Sequence, residues 1–261
     1  MEDVGLARRA HRNMVEAFAS LAQQQPGGFV RRSGGVVVAA TGSPIGLFNE
    51  VLPVEDDVDA GALIEAVEAV RGAGLSFLVQ LRERVDEGLL PVVRDLGLEE
   101  DSDASWPAMI LTDMPTAVDF PQGLRIVRVA DQAGFEEFVR SGAVLLGVTP
   151  ELYATFLSPA IVDDPAWSLF MGYEDGVPVT KSMSFHADGV VGVYNVGTAV
   201  SARRRGYGWA MTLAAIMAGA NAGCTLATLQ SSAMAMSIYE AHGFRPLYRY
   251  RAFRWRARRE G

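Results

Sequence analysis

Two Asp-Gly dipeptides constrain the fold of this chain more than any other short feature. They separate three apolar runs, and the order along the chain is Trp167–Tyr173, Asp175-Gly176, Val177–Phe185, Asp188-Gly189 and Val190–Val200. Asp-Gly between apolar runs predicts a tight hairpin, because both central positions of the turn need positive φ. The segment therefore predicts an antiparallel meander. A strand, helix, strand, helix, strand series then begins with its third strand, so we expect an α/β (α+β) fold with a mixed sheet and helices outside it.

The first half of the sequence predicts further α/β structure. Apolar residues near helical spacing indicate a helix over residues 1–25, and the acidic segment Glu99–Asp103 is expected to be a solvated loop. The other expected elements are strands Gly35–Ala40 and Gly46–Leu52, a helix capped by Asp59 and running through Ala73, a strand Leu75–Leu81, a helix Leu90–Leu96 and a strand Pro107–Leu111. Two prolines and no periodicity mark Asp113–Gly123, so we expect domains 1–118 and 119–261.

The two halves resemble each other weakly in the order of their elements. Residues 46–111 and residues 190–256 both read strand, helix, strand, helix, strand. Where the second copy has arginines and glycines, the first has Pro53–Asp57, whose acidic side chains repel a phosphate. We therefore expect a duplication in which only the second copy binds a phosphate group.

Composition excludes several classes of function. A net charge of −8 argues against bulk electrostatic binding to nucleic acid. There is no apolar run of membrane-spanning length and no signal-peptide pattern at the start, so the expected location is cytoplasmic. The single cysteine, Cys224, leaves no disulfide framework and no cysteine-rich metal site, and we expect no bound metal.

The C-terminal run Tyr248–Arg256 alternates arginines with aromatic residues. This mixture is also found in single-strand nucleic-acid sites, but alternation is sufficient to predict a closing strand. The alternation changes phase between Arg251 and Phe253, which predicts a β-bulge there. We therefore expect no nucleic-acid partner.

A basic turn follows the third meander strand, and it holds Arg203, Arg204, Arg205, Gly206 and Gly208. A helix that begins at such glycines leaves backbone N–H groups unpaired at its start, and its dipole adds positive potential. With the three guanidinium groups, these amides predict an anion site suited to a pyrophosphate.

A dinucleotide fold is the natural competitor for this turn, and the spacing excludes it. G-x-G-x-x-G requires Gly or Ala where the chain has Met211. No Asp or Glu occurs between Gly206 and Tyr239 to bind a ribose.

At these residues the sequence resembles the GNAT superfamily of acyl-CoA N-acyltransferases. The family's phosphate-loop pattern, [QR]-x-x-G-x-[GA], is matched by residues 203–208, and its later Y-x-x-x-G-F pattern is matched by residues 239–244. The asparagine that usually precedes this tyrosine by seven positions is Ser232 here. The resemblance implies a mostly antiparallel, twisted sheet, two such lobes in tandem, and acetyl-CoA as cosubstrate. It also implies direct transfer of the acetyl group to a primary amine.

The resemblance assigns expected roles to individual residues. Tyr239 becomes the general acid that protonates the leaving thiolate, and the Val200 N–H becomes the donor to the thioester carbonyl. The residues expected to contact the cofactor are Thr198, Ala199, Val200, Arg203, Arg204, Arg205, Gly206, Tyr207, Gly208, Trp209 and Ser232. The general base is missing, since residues 190–200 contain no Asp, Glu or His. Asn195, with Tyr194, is the candidate for ordering a water that relays the amine proton.

Two functions from different classes fit this pattern. One is an acetyltransferase whose acceptor is a small-molecule or peptide amine, and a homodimer is compatible with it. The other is a non-catalytic acyl-CoA-binding protein with a sensor or regulatory role, which the missing base favours.

Overall fold

The computed structural model describes residues 2–116 and 118–257. Residues 1, 117 and 258–261, which fall within the two predicted domains, lie outside the described residues. The helices are α1 (Glu2–Gln24), α2 (Ala60–Gly72), α3 (Leu90–Asp95), α4 (Gln132–Leu146), α5 (Pro150–Ala154), α6 (Tyr207–Asn221) and α7 (Met236–Ala241). The strands are β1 (Phe29–Ser33), β2 (Val36–Ala40), β3 (Asn49–Pro53), β4 (Phe77–Arg82), β5 (Glu99–Asp101), β6 (Pro107–Leu111), β7 (Leu124–Arg128), β8 (Trp167–Glu174), β9 (Val177–Ala187), β10 (Val190–Thr198), β11 (Leu226–Gln230) and β12 (Arg245–Trp255).

The chain forms two compact units. One contains the chain up to Asn13 together with Met109–Pro246, and the other contains Met14–Ala108 together with the chain from Leu247 onward. Each unit is therefore built from two separate stretches of the sequence, whereas the predicted domains 1–118 and 119–261 are each continuous in sequence. Compactness alone does not test which residues form a lobe, so the domain boundary stays a prediction.

In the unit that contains Met109–Pro246, the predicted meander is confirmed. Strands β7, β8, β9 and β10 pair antiparallel in that order, and β11 then pairs parallel to β10. Both residues of each Asp-Gly turn have positive φ, with Asp175 at 50° and Gly176 at 80°. Helix α6 packs on one face of this sheet and α4 on the other: Ser182 donates to the Met211 carbonyl, while its neighbour Lys181 points to α4 and α5.

The other unit has a sheet of strands β1, β2, β3, β4 and β12, with β5 beside β12. Asp59 caps helix α2, as predicted, and its carboxylate accepts from the Gly61 N–H at 2.8 Å. Its buried face, with Leu63, Val67 and Val70, packs against a core that β2, β3 and β4 share with Phe253.

Two predicted elements of this unit are wrong, and one strand was not predicted. Gly46–Phe48 is a 3₁₀ turn rather than the start of a strand, and the buried Asn49 holds it by donating to the Ser43 carbonyl at 2.7 Å. Glu99–Asp101 is a strand rather than a solvated loop, because it pairs with β12 and its acids bind arginines there. Strand Phe29–Ser33 was not predicted, since it is an edge strand with a mostly exposed, arginine-containing sequence.

The predicted bulge in the closing strand is also wrong. Strand β12 pairs with β4 without a register shift from Tyr250 to Trp255. The alternation changes phase because both faces of the strand are covered there: Ala252 and Phe253 are both buried, and they belong to different core clusters.

A carboxyl group is buried in the sheet of this second unit. Glu50 is completely buried, and within the described part of the chain its carboxyl group accepts a single, long hydrogen bond of 3.4 Å from the Gln80 amide. Its Oε2 atom has no partner among the described residues. Burial raises the pKa of Glu50 well above its usual range, so the native state holds it as the neutral acid.

This buried acid predicts a stability change that depends on pH. The unfolded chain ionises Glu50 above about pH 4 while the native state keeps its proton, so Glu50 lowers stability increasingly as the pH rises from there. We expect Glu50→Gln to raise the free energy of unfolding at pH 7 and to leave it nearly unchanged at pH 4, as measured by urea denaturation. The exposed Glu65→Gln is the matched control, and an equal effect of both variants at pH 7 would contradict the assignment.

Candidate functional site

Strand β10 has an open edge along its second half. Its parallel pairing with β11 covers Val190–Val193, where Val193 lies opposite Leu229, but the strand continues to Thr198. On its other side, β10 stays paired with β9 as far as Thr198 and Thr180. Among residues 2–116 and 118–257, no strand pairs with the edge of residues 194–198 that faces β11, and an extended ligand chain can add to it.

A bulge lies at the start of this open edge. The register of β10 against β9 shifts between Tyr194 and Gly197, and Asn195 has a left-handed φ of 54°. Tyr194 donates to the Asn13 side chain at 2.8 Å, which uses its hydroxyl for packing rather than for ordering a water. Asn195 is exposed, but its carboxamide bonds inward to Lys181 and Tyr153.

The basic turn leads directly into the N-terminus of α6. Gly206 caps this helix with a left-handed φ of 79° and without a side-chain hydrogen bond to the first turn. The first N–H groups of a helix have no intrahelical acceptor, so the amides of Tyr207, Gly208 and Trp209 face outward. Gly208 lies against the end of β10, because a Cβ added there meets Thr198 Oγ1 at 3.6 Å. The anion site predicted from the sequence and the open edge are thus neighbours.

The three arginines of the turn have different surroundings. Arg203 donates to the Thr198 carbonyl at 3.2 Å and so ties the turn to the end of β10. Arg205 binds the Glu174 carboxylate through two contacts of 2.6 and 2.7 Å. Tyr207 also donates to Glu174, and this hydrogen bond, followed by Arg205, lowers the pKa of Glu174. Arg204 is exposed and left-handed, with a φ of 64°.

Thr198 and Ala199 use most of their main-chain groups within the protein. The Ala199 N–H donates to the Val179 carbonyl at 2.8 Å, and the Ala199 carbonyl accepts from Ala202 at 2.9 Å. Val200 is 78% exposed. Within the described part of the chain, its N–H has no acceptor. Of the three strand-end residues assigned to the cofactor, Val200 has the donor that is free to bind a ligand.

Tyr239 lies on the α6 side of the sheet. It is buried in a cluster with Val193, Ile216 and Phe244. Its hydroxyl contacts Thr212, which in turn donates to the Gly208 carbonyl at 3.1 Å, so Tyr239 is linked to the basic turn. Burial raises the pKa of Tyr239. The carboxamide of Asn195 points to the opposite face, so the two predicted catalytic side chains do not meet.

The remaining predicted contacts lie around the same helix end. Trp209 stacks on His242 with ring centroids 3.8 Å apart, which places the C-terminal end of α7 beside the first turn of α6. Ser232 is exposed in the turn before α7, and its carbonyl accepts from Met236.

The sequence analysis missed two parts of this site. Glu174, at the end of β8, was not connected to the turn, because it is 31 residues from Arg205 in sequence and only the sheet register brings them together. The buried Lys181, with Tyr153 beside it, was also missed. Its signal was present, since Lys181 is the only lysine in a chain rich in arginine.

Residues 2–116 and 118–257 contain no helix that is both long and apolar enough to cross a bilayer. They also contain no group of three His, Cys, Asp or Glu side chains arranged to hold a metal ion.

The mixed, mostly antiparallel sheets with flanking helices are the fold of the GCN5-related N-acetyltransferases, in the tandem form. The chain is similar to a GCN5-related N-acetyltransferase from Kribbella flavida, with a TM-score of 0.70 and 24% identity over 94% of this chain and 95% of that one. It is also similar to a tandem GNAT protein from the clavulanic acid biosynthesis pathway, with a TM-score of 0.60 and 13% identity over 97% and 96%.

A GCN5-related N-acetyltransferase from Sphaerobacter thermophilus has a TM-score of 0.59 and 17% identity over 86% of this chain and 78% of that one. No protein-family model and no curated protein matches the sequence. Identities at this level show the fold, which confirms the tandem GNAT-like architecture predicted from the sequence.

The backbone of the turn predicts a contrast between its two glycines. Gly206→Ala forces a Cβ into a left-handed conformation, so it is expected to lower the free energy of unfolding by about 1 kcal/mol. Gly208→Ala has an ordinary φ and only the 3.6 Å contact with Thr198, so it should leave stability unchanged or slightly higher. Thermal unfolding of the two variants tests this, and equal losses would show that the left-handed cap is not what the turn requires.

Proposed function

We propose that the protein is an N-acetyltransferase that moves an acetyl group from acetyl-CoA directly to a primary amine. One observation carries the proposal: the open edge of β10 ends beside a glycine-capped helix N-terminus that is surrounded by arginines. An acyl-CoA presents both matching parts, a pyrophosphate and an extended arm with main-chain-like amides. The tandem GNAT fold supports acyl transfer from acyl-CoA as the general class of reaction.

The cofactor is proposed to bind in two places. Its pyrophosphate accepts from the amides of Tyr207, Gly208 and Trp209, with Arg203 and Arg204 supplying positive charge. Its arm adds to the open edge of residues 194–198 as an extra strand. Because the Arg205 guanidinium is paired with Glu174, we assign it to holding the turn rather than to the phosphates.

The transfer is proposed to be a single displacement. The amine nitrogen attacks the thioester carbonyl carbon, and the Val200 N–H donates to the oxygen as it becomes an oxyanion, an effect worth about 3 kcal/mol in other enzymes. The C–S bond then breaks, and the thiolate takes a proton from Tyr239. A raised pKa keeps that proton on the phenol at neutral pH until the thiolate forms. A protonated amine first loses a proton to water, which frees its lone pair, and the nitrogen loses a second proton to water as the amide forms. Water then returns a proton to the Tyr239 phenolate.

A cavity of about 230 Å³ beside the end of β10 suits a small amine acceptor. It is lined by Thr180 and Ala199 at the end of the strands and by Glu137, Arg140 and Leu145 of α4. The apolar walls hold the carbon skeleton of an acceptor, the Glu137 carboxylate attracts a protonated amine, and the Arg140 guanidinium can bind an anionic group of the same acceptor. We propose that a small-molecule amine or a peptide amine binds there.

The first lobe is proposed to lack a cofactor. Its position corresponding to the basic turn holds Glu55, Asp56 and Asp57, and Asp56 pairs with Arg82 at 3.0 Å.

The proposed location is cytoplasmic. The single cysteine, Cys224, is a buried free thiol, which fits this location.

A non-catalytic acyl-CoA-binding protein is the second candidate function. The observation that favours it is the composition of β10, whose residues 190–198 include no acid and no histidine to accept the amine proton. A binder needs the phosphate turn and the open edge but no proton acceptor.

Coenzyme A binding tests both candidates at the phosphate turn. Gly208→Glu places a carboxylate at the amides without forcing a left-handed residue, so it is expected to weaken coenzyme A at least about tenfold in isothermal calorimetry. Gly88→Glu adds the same charge at an exposed position of the other unit and should bind like wild type. Equal affinities of the two variants would remove the turn from the binding site.

Tyr239 separates the enzyme from the binder. Tyr239→Phe is expected to slow thiol release from acetyl-CoA about 100-fold across an amine panel, since general acids contribute that order of rate, and to leave the affinity for coenzyme A within about twofold. If the wild type binds coenzyme A tightly but releases no thiol with any amine of a broad panel, the result would favour the binder. An unchanged rate in the variant would remove Tyr239 as the acid.

A further inference from the structure

The one lysine of the chain lies in the interior of the sheet beside the candidate site. Lys181, on β9, is 1% exposed, and its Nζ atom lies 4.5 Å from the centre of the Phe138 ring of α4. In the described part of the chain, no carboxylate pairs with it, and burial alone lowers its pKa well below the usual range. A lysine in such a position is expected to be an uncharged amine.

Lys181 forms a closed ring of contacts with two other side chains. Its Nζ lies 2.5 Å from Tyr153 Oη and 2.9 Å from Asn195 Oδ1. The Asn195 amide nitrogen in turn donates to Tyr153 Oη. Three polar groups thus meet pairwise, with one from each of β9, α5 and β10.

The hydrogen bonds of this ring are satisfied with Nζ as a donor. Lys181 Nζ donates to Tyr153 Oη and to Asn195 Oδ1, and the Asn195 amide nitrogen donates to Tyr153 Oη, which accepts from both. An amine and an ammonium can both donate in this way. The geometry of the ring therefore does not depend on the charge of Lys181, and the neutral form follows from burial alone.

The fold makes room for this ring. Helix α4 carries a glycine, Gly142, at the position that contacts Tyr153, and a Cβ there would lie 2.2 Å from the Tyr153 ring. Tyr153 itself is 1% exposed. Because a tyrosine hydroxyl buried this deeply needs a partner, its position is fixed by Lys181 and Asn195.

The ring anchors the residue at which β10 changes direction. Asn195 has the left-handed φ of the bulge, and it lies two residues beyond Val193, where the pairing with β11 ends. A carboxamide held on the α4 and α5 side fixes the orientation of the following residues, which form the open edge. Without that anchor, Asn195 is free to return to an extended conformation.

We propose that Lys181 and Tyr153 are positioning residues that, through Asn195, hold the open edge of residues 194–198 in the shape that pairs with the arm of acyl-CoA. This inference rests on the proposed function and adds to it the means by which the cleft is held open. It also assigns Asn195 to the architecture of the site rather than to a water relay.

The protonation state of Lys181 gives the first test, because uniform labelling with ¹³C-lysine yields a single side-chain spin system in this chain. We expect its Cε signal at the position of a neutral amine at pH 7, a change of this signal in Tyr153→Phe, and a further change when coenzyme A is added. A Cε signal that is the same in Tyr153→Phe as in the wild type would overturn the ring.

Coenzyme A affinity gives the second test. Tyr153→Phe and Asn195→Gly, which keeps the left-handed backbone accessible, are each expected to weaken binding about tenfold, and the double variant no more than either single one, because both break the same ring. Tyr173→Phe removes a hydroxyl bonded to Glu137 on the same face, outside the ring, and is the matched control.

The outcomes separate the inference from the function on which it rests. Wild-type protein that binds coenzyme A while the ring variants match the Tyr173→Phe control would overturn the positioning role alone. Wild-type protein that shows no heat with coenzyme A would overturn the proposed function, and the positioning role with it. Lys181→Met is less suitable, since it leaves Tyr153 without its partner in the core, so the inference is tested with the two variants that retain the lysine.

Discussion

The incomplete pairing of β10 is the constraint on which the rest of the candidate site depends. A strand that pairs on both sides along its whole length offers no main-chain groups to a ligand. Here β10 leaves β11 after Val193 while β9 stays paired with it to Thr198. The bulge at Asn195 coincides with this separation. The open edge begins at this separation, and the basic turn and the helix that follows lie at its far end.

Charge distribution explains how an acidic chain can offer an anion site. The net charge of −8 is unfavourable for a phosphate-bearing ligand at long range, but the turn gathers three arginines and a helix N-terminus at one point. Glu174 neutralises Arg205 and also holds Tyr207, so one carboxylate fixes the geometry of the turn. The site therefore depends on local donors and not on the overall field of the protein.

The sequence was sufficient for features that depend on local backbone chemistry. The Asp-Gly turns gave the meander because few other dipeptides adopt two positive φ angles, and Gly206 with its arginines located the helix N-terminus. Features that depend on distant partners were not predictable. Glu99–Asp101 is a strand that pairs with β12, where Glu100 and Asp101 bind Arg251 and Arg254. Lys181 bonds to Tyr153, which is 28 residues away in sequence. The fact that it is the only lysine of the chain did not indicate this partner.

The central claim is that the open edge of β10 and the N-terminus of α6 together bind one acyl-CoA molecule. A crystal structure with coenzyme A tests this most directly. The account predicts the pyrophosphate on the amides of Tyr207, Gly208 and Trp209 and the arm paired with residues 194–198. Coenzyme A bound elsewhere on the chain, with both of these surfaces free, would contradict it.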